Sequence, residues 1–345
     1  MTPPLRIVQY GLGPIGQATA RTVLDKQEAG HVRLVGAVDI DSDKVGRDVA
    51  DLLDVAVAPT GVVVSDEAEQ VLNETDPDVV LHTTTSFLEG VSKQLTQCME
   101  AGADVVSSTE ELSFPHDRHP ERAKHLDQVA RETGQTLVGT GVNPGYAMDT
   151  LPLAATGVCT EVNAVHVKRV VDAGERRGPL QDKVGAGISP EVFAEKKTAG
   201  GFGHIGLHES LVMVADGLRW SVDAIEETLE PVTADRVIET GHRSVAPGEV
   251  AGIHHAAVGV IDGHELLTLD LKMYVGAENL RDTVQVEGEP PIDLTIRGGI
   301  FGDTATVAML VNTVSLALDA EAGLQTMADL PVPRAFGTEP VLVAG

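Results

Sequence analysis

"LRIVQYGLGPIGQATARTVLDKQEAG", residues 5–30, decides the fold. Six largely apolar residues, 5–10, read as a buried strand, and the segment after Pro14 has helical spacing with Ile15, Ala18, Thr22 and Val23 on one side. Between them lies Gly11-Leu12-Gly13-Pro14-Ile15-Gly16, a G-x-G-x-x-G turn. Alone that pattern is weak. Placed between a strand and a helix, it gains meaning from Asp39, which ends the next strand, "HVRLVGAVDID", at the spacing a dinucleotide fold requires. Gly11 permits the tight turn, Gly13 lets the backbone approach a pyrophosphate, and Gly16 lets the helix pack against the strand. The helix N-terminus then faces the phosphate charge. A carboxylate at Asp39 accepts hydrogen bonds from ribose hydroxyls and repels a 2′-phosphate. NAD is therefore the expected cofactor, with NADP possible because Ser42 and Lys44 follow closely. A purely structural strand–turn–helix with a solvated Asp39 is the competing reading.

Outward from that turn, strands and helices alternate as in a parallel sheet. "PDVVLHTTT" (77–85), "ADVVSST" (103–109) and "QTLVGTGVNPG" (135–145) read as strands, and 89–102 and 119–134 as helices. Ligands of such sheets bind beyond the carboxyl ends of the strands. Thr83 to Ser86, with Thr84, Thr85 and Ser86 as cofactor contacts, then Ser108 to Glu111, then Gly141 to Gly145 fall at those ends. From residue 146 the pattern changes. "EVNAVHVKRVVDA" (161–173) alternates with period two, and Asp262-Gly263 between two alternating runs is a strong hairpin signal. Residues 282–299 supply two more short strands, and 196–210 reads as a loop running into a helix. An antiparallel sheet of four to six strands is expected. The fold class is thus α/β: a Rossmann domain over 1–145, an α+β domain over 146–302, and a segment 303–345 that packs back on the first.

Bulk properties restrict the function. The chain has 345 residues and a net charge of −27, which argues against nucleic acid or an anionic membrane surface as partner. Cys98 and Cys159 lack C-x-x-C spacing, so a reducing cytoplasm is expected. The N-terminal stretch enters a strand pattern without a signal-peptide profile. "ATVAMLVNTVSLAL" (305–318) is shorter than the ~20 residues that span a bilayer and is broken by Asn312, Thr313 and Ser315, so it reads as a buried helix. Asn312 has two readings, a hydrogen bond to the nicotinamide amide or one to backbone in the core.

Several side chains invite chemistry. Adjacent carboxylates, Glu110 and Glu111, follow a buried strand in "VVSSTEELSFP" (105–115). They are either a solvated, helix-capping pair or half of an active site. His204 and His208, four apart and followed by Glu209, suggest a metal site, but no third ligand spacing accompanies them and no metal is expected. His254-His255 should turn one ring inward. His116 and His119 read as solvated. Lys168, Arg169, Arg176 and Arg177 are candidate cations for an anionic substrate, or are simply solvated.

Three stretches make the chain resemble a known family. "GTGVNPGYAMDTLPL" (139–153), "GHIGLHES" (203–210) and "GLQTMADLPVPR" (323–334) are similar to the 2,4-diaminopentanoate dehydrogenases and the natural amine dehydrogenases grouped with them. "STEELSFP" (108–115) has that family's two glutamates, hydrophobic residue, small residue, aromatic and proline. The resemblance spans essentially the whole chain. It implies a Rossmann domain like that of dihydrodipicolinate reductase, a homodimer, and NAD(P)-dependent interconversion of an amine with a ketone or aldehyde plus ammonia. It carries the functional glutamate to Glu110, with Glu111 in reserve, and places Asn143, Tyr146 and Thr304 near the substrate; beside it, His204 is read as a packing or substrate-binding residue and Asn143 also as a cofactor contact. Two alternatives stand beside it: an imine reductase that does not use free ammonia, and a non-catalytic dinucleotide sensor. Against the first, the histidine- and lysine-rich motif of dihydrodipicolinate reductase is not recognisable here.

Overall fold

The structure is a computed structural model, and it describes residues 3–53, 58–176 and 178–335. The chain divides into two compact units, Met1–Val142 with Gly302–Gly345, and Asn143–Phe301. In the first unit β1 (Leu5–Tyr10) leads through the glycine turn into α1 (Pro14–Glu28) and β2 (Val32–Val38). A short pair, β3 (Val64–Ser65) and α2 (Ala68–Thr75), precedes β4 (Val79–His82), α3 (Leu88–Glu100), β5 (Asp104–Ser107), α4 (Pro120–Thr133) and β6 (Thr136–Gly139). Strands β1, β4, β5 and β6 are buried along almost their whole length, as expected of strands covered on both faces.

The second unit begins with α5 (Thr150–Thr156) and β7 (Glu161–Asp172), followed by α6 (Gly178–Lys183), α7 (Pro190–Ala199) and α8 (Leu207–Gly217). Strands β8 (Ala224–Thr233), β9 (Ile238–Glu239), β10 (Ser244–Val245), β11 (Val250–Ile261), β12 (His264–Tyr274), β13 (Arg281–Glu289) and β14 (Ile292–Arg297) complete it. The chain returns to the first unit through α9 (Gly302–Asp319) and β15 (Gly323–Gln325).

Among the described residues the first sheet has seven strands in the order β15-β6-β5-β4-β1-β2-β3, all parallel. Its first six strands run 3-2-1-4-5-6, the doubly wound order, with the topological switch between β1 and β4. Val8, Val38, Val80, Val105 and Leu137 of the sheet pack with Leu95 of α3 and Leu126 of α4 in its core. α9 lies against α1 and strands β4 to β6, burying Val307, Leu310, Val311 and Val314.

The second sheet, β14-β13-β7-β12-β11-β8, is mostly antiparallel. Its centre differs from the expectation: β7 and β12 pair in parallel, because the helices and strands between them form a crossover rather than a hairpin. The β11–β12 hairpin turns at Asp262 and Gly263, both at positive φ (52° and 77°), the conformation this dipeptide favours. Residues 196–199 are not loop. They finish α7, which starts at Ser189, whose side chain caps Val192 N–H, and at Pro190 in the first turn. Among the described residues no helix is long and apolar enough to cross a membrane.

Candidate active site

The glycine turn is shaped by close backbone approach. Gly11 has φ +89°, and a Cβ there would stand 2.6 Å from the Thr83 carbonyl oxygen. One on Gly16 would stand 1.9 Å from the Gly11 carbonyl oxygen. Gly13 is different: its Cβ would meet no described atom within 4 Å, and no side chain caps the helix it starts. An open, uncapped helix N-terminus beginning Gly13-Pro14-Ile15 suits a pyrophosphate. Gln9 Nε2 donates to the Gly11 carbonyl and to Thr83 Oγ1, both at 2.9 Å, which ties the turn to the end of β4.

Asp39 lies just past β2. Its Oδ2 accepts from Leu12 N–H at 2.6 Å and its Oδ1 from Asp41 N–H at 2.9 Å. Lys44 Nζ sits 3.2 Å from both Asp39 Oδ2 and Asp41 Oδ2. Lys44, read from the sequence as a rescue for a 2′-phosphate, is thus held by two carboxylates. Ile40, the residue after Asp39, is 87% exposed, an apolar side chain left in solvent.

A buried polar network joins the ends of β4 and β5. His82 Nδ1 lies 2.9 Å from Ser107 Oγ, and its Nε2 lies 2.9 Å from Gln94 Oε1. Burial pushes the His82 pKa down to about 4, so the ring is neutral at ordinary pH. Thr109 Oγ1 donates to the Thr85 carbonyl at 2.9 Å, and Glu111 N–H to the Ser86 carbonyl at 3.1 Å. The Thr84–Ser86 loop is therefore pinned from both sides, with Thr84 and Thr85 exposed at the sheet's carboxyl edge.

The two adjacent glutamates have unlike surroundings within a short 3-10 turn, Glu110–Ser113. Glu111 Oε2 accepts from Leu88 N–H at 2.7 Å and pairs with His119 Nε2 at 3.2 Å. It supplies the cap that Phe87, the residue before α3, lacks. His119 is accordingly partly buried beside a carboxylate, not solvated as its charged surroundings suggested. Glu110 is half-buried on the same turn, its carbonyl accepting from Ser113 Oγ at 2.7 Å. The turn lies close to β6 because Gly139 is there: a Cβ on it would come within 2.6 Å of Leu112 C and Ser113 N.

In the second unit Asn143 is buried, its Nδ2 3.1 Å from His204 Nε2 and 3.3 Å from Met148 Sδ. The loop carrying Asn143 and half-buried Tyr146 is clamped by Asp149. That carboxylate accepts from Gly145 N–H (2.7 Å), Thr150 N–H (2.6 Å) and Ser210 Oγ (2.7 Å) of α8. Complete burial raises its pKa despite those donors. Thr304 is exposed in the first turn of α9 and Asn312 is half-buried two turns on.

The cations divide. Arg169 is buried, its Nη1 3.2 Å from Asp282 Oδ1 and its Nη2 donating to the Ile300 carbonyl at 2.7 Å. It is neither solvated nor available for an anionic substrate, because β7 and β13 set it directly opposite Asp282. Arg176 is buried over the Phe301 ring, Lys168 is exposed, and Arg177 lies outside the described residues. His254 pairs with Asp270 at 2.9 Å, and His255, buried, with Glu227 at 2.8 Å. No group of three or more His, Cys, Asp or Glu among the described residues is placed to hold a metal ion.

Residues 146–341 match the sequence profile of the 2,4-diaminopentanoate dehydrogenase C-terminal domain. The 2,4-diaminopentanoate dehydrogenase of Acetoanaerobium sticklandii is 32% identical over 338 residues, covering 96% of this chain and 95% of that protein. The amine dehydrogenase of Streptomyces virginiae is 24% identical, covering 96% and 97%. Among solved structures, an amine dehydrogenase from Mycobacterium smegmatis superposes with a TM-score of 0.85 at 27% identity, over 97% of this chain and 98% of that one.

Proposed function

The chain belongs to the 2,4-diaminopentanoate dehydrogenase family, and on that premise we propose that it is an NAD(P)-dependent amine dehydrogenase, interconverting an amine with a ketone or aldehyde plus ammonia. The observation that carries this reading is one sheet edge. An open glycine turn after β1 and a carboxylate, Glu110, after β5 stand at carboxyl ends of the same parallel sheet. The dinucleotide, when bound, supplies or accepts a hydride. Gly11 to Gly16, Asp39, and Thr84 to Ser86 are proposed to hold it. NAD is favoured over NADP, since Asp39 would face a 2′-phosphate and Lys44 is already paired.

A ketone and ammonia must lose water to give an iminium before hydride addition, and both the iminium and the ammonium product are cations. Glu110 is proposed to supply the fixed negative charge beside them and to move protons during addition of ammonia and loss of water. Thr304, Asn143, Tyr146 and His204 are proposed substrate residues. A homodimer is also proposed. The six-stranded sheet supports it, for one face leaves His166, Thr268 and Asp270 half-exposed in regular alternation with buried neighbours.

The test is NADH oxidation with a small ketone, with and without excess ammonium, at mildly alkaline pH. Oxidation requiring both is expected. Oxidation without ammonium would make the protein a carbonyl reductase. NADH binding without turnover across ketones, aldehydes and 2,4-diaminopentanoate in the reverse direction would make it a sensor, and turnover of preformed cyclic imines alone would make it an imine reductase.

A further inference from the structure

Asn143 is 8% exposed, and its amide is used at one end only. Both protons of Nδ2 have acceptors, His204 Nε2 and Met148 Sδ. Oδ1 is buried and has no hydrogen-bond partner among the described residues. The amide is not free to turn over, because a thioether has no proton to give, and a reversed amide would set Oδ1 against Sδ. A buried carbonyl left without a donor costs about 1–3 kcal/mol, which a ligand N–H would remove. The donor direction also fixes His204. Its Nε2 must accept, so the ring proton resides on Nδ1. Burial holds the His204 pKa well below its usual value, with Lys183, His255 and Arg169 acting in the same direction, and the neutral ring keeps its acceptor. Sixty-one positions separate the two residues, but Asp149 brings them together by joining the Asn143 loop to α8 through Ser210.

We propose that His204 is a positioning residue that locks the Asn143 amide with Oδ1 turned to the substrate as an acceptor for N–H, so that the site selects an iminium or amine nitrogen over a carbonyl oxygen. This rests on the amine dehydrogenase reading above. An iminium C=NH2+ has protons to donate to Oδ1. A ketone oxygen has only lone pairs and is repelled by it. The ketone is thereby a poor hydride acceptor until ammonia has replaced its oxygen.

Two measurements test this. In wild-type protein labelled with 15N-histidine, His204 is expected to have a protonated Nδ1, an unprotonated Nε2, and no titration across the neutral range. A His204 proton on Nε2 would overturn the proposal whatever the activity. In kinetics, His204→Leu removes the acceptor, whereas His204→Gln replaces it with Oε1. His204→Leu is expected to lower kcat/KM for amine oxidation about tenfold or more, the loss of one buried hydrogen bond, and to raise ketone reduction without ammonium. His204→Gln should recover most of the loss. Asn143→Ala should lose as much as His204→Leu, with the double variant no worse than either. Equal activity of the two His204 variants, or additive losses, would overturn the proposal, since a packing role predicts both. Wild-type protein that turns over no amine would instead overturn the amine dehydrogenase reading itself, and with it the role of Oδ1.

Discussion

Glu110 and Glu111 are neighbours with the same side chain, and their difference lies wholly in what the fold brings to each. Glu111 satisfies an orphan amide at the start of α3 and pairs with His119, so its loss should be felt in stability. Removing a helix cap typically costs about 1 kcal/mol. Glu111→Ala is expected to lose about 1–2 kcal/mol in urea unfolding with a modest effect on turnover. Glu110→Gln is expected to act on turnover, lowering kcat by about 10²–10⁴, the range for a lost general acid–base, while the Kd for NADH stays unchanged. Steady-state kinetics and denaturation on the two variants check both. A larger kcat loss at Glu111 than at Glu110 would exchange their roles. The sequence alone showed two acids after a buried strand. That Glu111 caps α3 depends on Leu88, 23 positions away, and no local pattern carries that information. The Asn143–His204 contact is hidden for the same reason, whereas Gly11 and Gly16 were legible because close backbone approach admits one residue type only.

At the level of elements, the ends of β4 and β5 depend on a neutral buried His82. Its folded pKa of about 4 lies below the unfolded value of about 6.5. Below pH 6.5 the unfolded chain takes up a proton that the folded chain resists, so stability falls as pH drops, and the loss levels off near pH 4. Asp104, raised to about 6 by burial, works in the opposite direction: its folded state holds a proton that the unfolded state releases, so its contribution declines as pH rises from about 4 to 6. The useful quantity is therefore a difference. His82→Asn should be less stable than wild type at pH 8 and should close part of that gap between pH 6.5 and 4, measured by urea unfolding. A gap that stays constant would mean that His82 takes up a proton as readily in the folded chain as in the unfolded one. Elements differ in how well they can be read. β11 and β12 alternate around an Asp-Gly turn and were plain. β8 was not, because it is an edge strand with three glutamates, Glu226, Glu227 and Glu230, and Pro231, so its burial never alternates cleanly. Charge and proline at an edge discourage pairing with another chain, and they erase the pattern that identifies a strand.

For the molecule as a whole, 52 acidic residues face 25 basic ones, and this excess of like charge opposes the compact state. Salt acts on two populations at once. It weakens exposed pairs such as Arg236–Glu278 and Arg21–Asp25, but such pairs contribute little to begin with. It hardly reaches Arg169–Asp282, whose side chains are 3% and 2% exposed. What remains is repulsion among carboxylates, which screening relieves. The Tm is therefore expected to rise as NaCl goes from about 10 mM to about 0.5 M, with most of the gain by about 0.15 M, where the Debye length has shortened to about 8 Å. The same repulsion acts between copies, so the proposed dimer should tighten over the same range, read as mass by light scattering during size-exclusion chromatography. Repeating the series in KCl separates screening from ion-specific effects, since the two chlorides screen equally. A Tm that falls with salt would mean that surface ion pairs outweigh the net charge. A dimer that loosens while Tm rises would place opposite charges at the subunit contact, and the alternating His166, Thr268 and Asp270 face would then be read as complementary to itself rather than merely open.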